Sequence, residues 1–167
     1  MAIRIIRTDD DPILRKKAKE VGNINDRLKV LIDDMFETMD ASYGVGLAAP
    51  QVGILKRVIT IDDNAEENNT RMYMINPVIT RKDGSDVCRE GCLSIPGKQG
   101  DVERATDIDV SYENLNGEKL EMNAKDFLAR IIQHEIDHLD GILYTDRALQ
   151  MYRIIDQDED LGEEEEI

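Results

Sequence analysis

Between Asn25 and Asp40 the apolar residues Leu28, Leu31, Ile32, Met35, Phe36 and Met39 recur at helical spacing and fill one face. That pattern predicts an amphipathic helix with Asn25 as its N-cap. Ser42 to Gly53, with Gly44, Gly46, Pro50 and Gly53, reads as a loop. Short β-rich runs follow at Arg57 to Asp62, Met72 to Thr80 and Ile108 to Glu113. Asn116-Gly117, between Tyr112 and Leu120, signals a two-residue hairpin turn. Asp63 to Arg71 is polar and Asn-rich, as a surface loop is. A second helix is expected over about Ala124 to Asp140, where Phe127, Leu128, Ile131, Ile132, Ile136 and Leu139 spread around much of the circumference. A helix apolar on so many sides belongs in the interior. Gly141 stands just past its end, where a left-handed residue is favoured. A last short helix is expected over about Arg147 to Ile155, followed by a solvated acidic tail. The fold class is therefore α+β, with short, mostly antiparallel strands packed around a central buried helix.

Length and charge narrow the picture. A chain of 167 residues with 41% hydrophobic and 34% charged residues fits one folded domain, neither a disordered chain nor a membrane protein. We expect a single catalytic domain over 1–155 and an acidic C-terminal tail over 156–167. No apolar run approaches the ~18 residues that span a bilayer. The N-terminal stretch meets Asp9, Asp10 and Asp11 too soon for a secretory signal, so a cytoplasmic address is expected. Cys88 and Cys92 are too few and too close for a disulfide framework. Net charge is −15, and the eight acids after Arg153 carry roughly half of it. Such a balance offers no basic footprint for DNA or for an anionic membrane.

The chemistry sits on the buried helix. His134-Glu135-Ile136-Asp137-His138 is an H-E-x-x-H pattern, and it contains both histidines of the chain. Residues four apart share a helix face, so both imidazoles can reach one metal ion while Glu135 stands beside its water. Polar groups on an otherwise apolar helix also need partners. A catalytic ion needs a third protein ligand and one open position. The extended metzincin pattern would put a third His at Tyr144, and a downstream carboxylate would be Glu159, inside the acidic run. The remaining strong donors are Cys92, beside Gly91, and Cys88, whose alternating surroundings suggest a strand and a buried thiol. Spacing favours Cys92 without excluding Cys88.

Three segments together resemble one family. Gly44-Val45-Gly46-Leu47-Ala48-Ala49-Pro50-Gln51, Glu90-Gly91-Cys92-Leu93-Ser94 and His134-Glu135-Ile136-Asp137-His138 are similar to the three signature motifs of bacterial peptide deformylases, in the same order. The resemblance extends over about residues 3 to 155. It implies hydrolysis of the N-formyl group from the formyl-methionine of new polypeptides, releasing formate. It implies Cys92, His134 and His138 as metal ligands and Glu135 as the catalytic acid/base. Gln51 and the backbone N–H of Leu93 match the oxyanion donors, Gly46 matches the backbone that pairs with an extended substrate, and Glu90 orients the loop around the metal. Arg104 is carried over as a contact to the substrate backbone. The resemblance implies Fe²⁺ in the cell, whereas affinity order makes Zn²⁺ the more stable occupant of a thiolate–imidazole site.

Phe127 and Arg130, seven and four residues before His134, share its helix face and are expected to border the methionine side-chain pocket, with Val45 as another wall. One departure stands out. Relatives that dock at the ribosome are thought to use a basic C-terminal segment; here it is acidic, which disfavours that mode. Two other readings compete: a metallopeptidase, and a non-catalytic module stabilised by a closed metal site. Replacing Glu135 by Gln separates them, because a binding module would keep its function.

Overall fold

The computed structural model describes residues 2–64, 70–155 and 163–167. The centre of the expected surface loop, 65–69, and most of the acidic tail, 156–162, lie outside the described residues, as does Glu159. Among the described residues no helix is long and apolar enough to cross a membrane.

Helix α1 (Asp26–Ala41) forms where the periodicity predicts it. The Asn25 side chain caps it by accepting from the Leu28 N–H at 3.1 Å. Its apolar face, including Leu28, Ile32, Met35 and Met39, is buried against Leu47, Val58 and Ile75. The expected loop after it holds a three-residue strand, β1 (Gly46–Ala48), and a 3-10 turn (Ala49–Val52). Strands β2 (Val58–Asp63) and β3 (Thr70–Asp83) follow, then β4 (Asp86–Cys92), β5 (Ile95–Arg104), β6 (Asp107–Glu113) and β7 (Lys119–Lys125). β1, β2, β3, β6 and β7 make one antiparallel sheet in that order. Between β6 and β7 the Asn116-Gly117 signal marks the turn, with Gly117 at φ 75°. The connection runs from 114 to 118, wider than two residues, because the Asn114 carboxamide accepts from the N–H groups of both Asn116 and Glu118.

Helix α2 (Asp126–Leu139) runs through the middle, and every residue from Leu128 to Leu139 is buried. Ile131, Ile132 and Ile136 meet Ile59, Ile61, Met74 and Val110 of the sheet. Gly141, at φ 73°, ends it beneath the Arg15 carbonyl, where any Cβ would lie 2.5 Å from that oxygen.

The chain end departs from expectation. Only α3 (Tyr144–Arg147) is helical, and Gln150–Ile155 is a strand, β8, instead of the continuation of a helix. β8 pairs antiparallel with β5, Gly100 opposite Met151. A side chain at position 100 would collide with the Met151 sulfur, so Gly100 lets β8 dock. Nine residues hold too few periods to separate 3.6 from 2, and Tyr152, Ile154 and Ile155 suit a strand once an open edge is available. The tail returns as β9 (Glu163–Glu166), paired with β8, so the second sheet runs β4-β5-β8-β9.

Candidate metal centre

Two elements meet at the site. α2 presents His134 and His138 one turn apart, their ring centroids 5.1 Å from one another. The β4–β5 hairpin brings Cys92 against them, with its Sγ 3.3 Å from His138 Nε2. A donor atom from each of Cys92, His134 and His138 lies within 4.8 Å of the others, a spacing one cation can bridge. Cys88 takes no part. It is exposed on β4 rather than buried, because that stretch of the strand faces solvent.

The surroundings fit a cation. His134 Nδ1 is 2.8 Å from Glu90 Oε1, which keeps its proton on that nitrogen and leaves Nε2 free to ligate. Burial opposes charging His134, yet hydrogen bonds with Cys92 and Glu90 outweigh it and raise its pKa to about 10. His138 moves the opposite way, its pKa lowered by burial and by the positive charges of His134 and Arg104. One thiol and two imidazoles so placed form a donor set that a divalent ion can occupy. His138 Nδ1 is buried without a protein partner, as is Oε2 of Glu135.

Glu135 is the carboxyl of the group whose pKa is raised. Burial first, then the negative charges of Glu90 and Asp137, raise its pKa to about 7, against the opposing charges of His134 and Arg104. Its Oε1 defines how close β1 comes. A Cβ on Gly46 would lie 2.7 Å from that oxygen and 2.9 Å from Ile131 Cγ2, so only glycine fits. Gln51 is held from both ends: its Oε1 accepts from the Ala48 N–H at 2.9 Å, and its Nε2 donates to Ser94 Oγ at 3.0 Å. That Nε2 also lies 3.5 Å from Cys92 Sγ, so the amide donor faces the donor cluster.

A cleft of about 310 Å³ opens over these groups, lined by Val45, Gly46, Gln51, Cys92, Leu93, His134 and Glu135. β1 offers it a free backbone edge. The Asp62 N–H donates to the Val45 carbonyl, so the hydrogen-bonded pairs of β1 and β2 are 45/62 and 47/60. Gly46 must then point its N–H and C=O away from β2. Among the described residues no strand covers that side.

Three expected pocket residues lie elsewhere. Arg104 is buried in a double hydrogen bond to Glu90 (2.9 and 3.0 Å), reaches Asp137 at 2.6 Å and does not line the cleft. Arg130 is likewise buried, donating to Glu90 at 2.6 Å and to Asp86 at 2.7 Å. Phe127 is half exposed and does not line the cleft. Between them the arginines neutralise Glu90, whose pKa falls to about 2: burial works against that shift, but hydrogen bonds from His134 and Arg104 prevail. Conversely, Tyr43, Pro96 and Ile154 line the cleft without having been singled out. Ile154 was legible only from β8, and Tyr43 only from its place immediately before Gly44.

Comparison with known proteins finds relatives over most of the chain. The family model described as polypeptide deformylase matches residues 3–153. A peptide deformylase of Acetivibrio thermocellus is 52% identical over 159 residues, covering 95% of this chain and 89% of the relative. The crystal structure of peptide deformylase from Thermotoga maritima superposes with a TM-score of 0.84 at 43% identity, covering 89% of this chain and 99% of that one. A Met-Ala-Ser-bound class I type b peptide deformylase of Acinetobacter baumannii gives 0.83 at 38%, covering 87% and 98%.

Proposed function

This chain belongs to the polypeptide deformylase family, and on that premise we propose that Cys92, His134 and His138 hold its metal while Glu135 moves the protons. The enzyme is a metal-dependent hydrolase that removes the formyl group from N-formylmethionyl nascent peptides and releases formate. The observation that carries the residue assignment is the buried, unpartnered Glu135 Oε2 beside the only Cys/His/His cluster among the described residues.

A divalent ion bound there supplies Lewis acidity, polarising the formyl carbonyl and acidifying water in the cleft. Glu135, with its pKa near neutrality, takes the proton of the attacking water and returns it to the leaving methionyl nitrogen. As charge develops on the formyl oxygen, the Gln51 amide and the Leu93 N–H donate to it. Gln51 is preorganised for this by Ala48 and Ser94, so it pays little reorganisation cost when the charge appears. The peptide lies extended along β1 and pairs with the free N–H and C=O of Gly46, an added strand on an open edge. Val45 borders its methionine side chain. Gly46 and Leu93 crowd the formyl position and exclude larger acyl groups.

The Met-Ala-Ser peptide carried by the Acinetobacter relative is what a deformylated product looks like, which supports the same occupant here. A closed structural site would need a fourth ligand, and Cys88, the only other cysteine, faces solvent. We assign Fe²⁺ as the cellular ion, with Zn²⁺ a competitor of higher affinity. Protein prepared without oxygen should carry iron and lose turnover in air; zinc with unchanged activity in air would refute that assignment. We read 1–155 as the catalytic unit. Its substrates arise at translating ribosomes, so it works in the cytoplasm, and its acidic extension, 156–167, disfavours docking on ribosomal RNA. The deciding assay is formate release from formyl-Met-Ala by wild type and Glu135→Gln with metal content matched. Loss of turnover with metal retained supports the mechanism, and full activity in the variant overturns it.

A further inference from the structure

Behind His134 lies a chain of charges that reaches the surface at α3. Glu90 accepts from His134 Nδ1–H, and both of its oxygens accept from Arg104. The third Arg104 nitrogen donates to Asp137 Oδ2 at 2.6 Å. Asp137 in turn is gripped by Arg147, whose Nε and Nη2 reach its two oxygens at 2.7 and 3.0 Å. The side chains of Glu90 and Arg104 are about nine-tenths buried or more and Asp137 nearly so, while Arg147 is 43% exposed. Arg147 touches neither the cleft nor the donor cluster.

We propose that Arg147 is a positioning residue for the His134 imidazole, acting from the surface through Asp137, Arg104 and Glu90. The inference rests on His134 being a metal ligand. Arg104 answers to two carboxylates at once, and its planar fork can serve both only while Asp137 is shared with a second cation. Remove Arg147, and Oδ1 of Asp137 loses its donor and the carboxylate competes harder for Arg104. The guanidinium then shifts toward Asp137 and loosens its double contact with Glu90. Glu90 fixes the ring of His134, so the cost appears as a less well-aimed Nε2. Partners behind a ligating His that touch it directly are worth ten- to a hundredfold in metal affinity. Three residues stand between Arg147 and His134, and a smaller loss, roughly three- to tenfold, is expected.

The test is the dissociation constant of Zn²⁺ and Co²⁺, measured by competition with a chromophoric chelator on the full chain. Arg147→Met should weaken binding by about three- to tenfold, and Arg147→Lys, which keeps the charge without the fork, by less. Arg15→Met is the control: Arg15 pairs with Asp146 on the same short helix but does not touch Asp137. In an Asp137→Asn background, Arg147→Met should add little, because the path runs through that carboxylate. Unchanged affinity in Arg147→Met, an equal loss in Arg15→Met, or full additivity with Asp137→Asn would each overturn the proposal. Failure of wild type itself to bind either ion, or unaltered binding by His134→Ala, would instead strike at the ligand assignment.

Discussion

Two buried glutamates stand on either side of His134, and they have opposite fates. Glu90 is saturated: one imidazole and two guanidiniums donate to it, and its pKa sinks to about 2. Glu135, on the helix itself, has an oxygen with no partner and a pKa lifted to about 7. The residue type and the burial are alike; the difference is the neighbours each backbone brings. Glu90 arrives on β4 facing Arg104 and Arg130, whereas Glu135 is aimed at Gly46, which has no side chain to offer. In the proposed mechanism the satisfied carboxylate is scaffold and the unsatisfied one beside the donor cluster is the reagent.

The contrast breaks most sharply by neutralising each carboxyl in turn. Glu135→Gln should cut formate release from formyl-Met-Ala by about 10²- to 10⁴-fold and leave bound metal unchanged. Glu90→Gln should act the other way round. It leaves two buried guanidiniums short of an anion, a change on the order of 3–5 kcal/mol in stability, and weakens metal binding by about ten- to a hundredfold. Thermal unfolding and chelator competition would show both. Gln51→Ala, which removes an oxyanion donor, should lower kcat by about 10²- to 10³-fold with little change in metal content. The direction of pH dependence sharpens the comparison further. In metal-free protein Glu90 contributes stability above its unfolded pKa of about 4.5, and that contribution is lost as pH falls toward about 2. Glu135 does the reverse: its burial is tolerated below about 4.5, and stability is lost as pH rises through about 7. Chemical denaturation across pH should therefore show Glu135→Gln flattening the neutral limb and Glu90→Gln flattening the acid limb. The smallest effect is expected from deleting 156–167, which should leave turnover of a short formyl-Met peptide nearly unchanged; a large drop would make β9 part of the working site.

The same contrast explains what could be read in advance. Both long helices carry their periodicity in the sequence, and the H-E-x-x-H group depends only on spacing within one helix, so α1, α2 and Glu135 were legible. Cys92 was preferred by spacing and by the Gly91 beside it, and the resemblance implies it as the ligand. The scaffold around Glu90 was not legible, because Glu90 and Asp86, which partner Arg104 and Arg130, come from a strand with no local mark of its facing. Arg130 looked like a pocket residue because it shares the helix face of His134, and Arg104 because the resemblance carried it over as a substrate contact. Yet Arg130 and Asp137 sit among apolar residues of a buried helix, which already demands opposite charges from elsewhere in the chain. β8 escaped for a different reason: its pairing edge on β5 exists only after the hairpin has formed.

The proposed hydrolysis depends on one cation held by three side chains. Anomalous diffraction from crystals of the metal-loaded protein should find a single ion about 2.3 Å from Cys92 Sγ and about 2.0–2.1 Å from a nitrogen of each imidazole, with water as its remaining ligand. An ion bound elsewhere, or a fourth side chain filling that position, would contradict it.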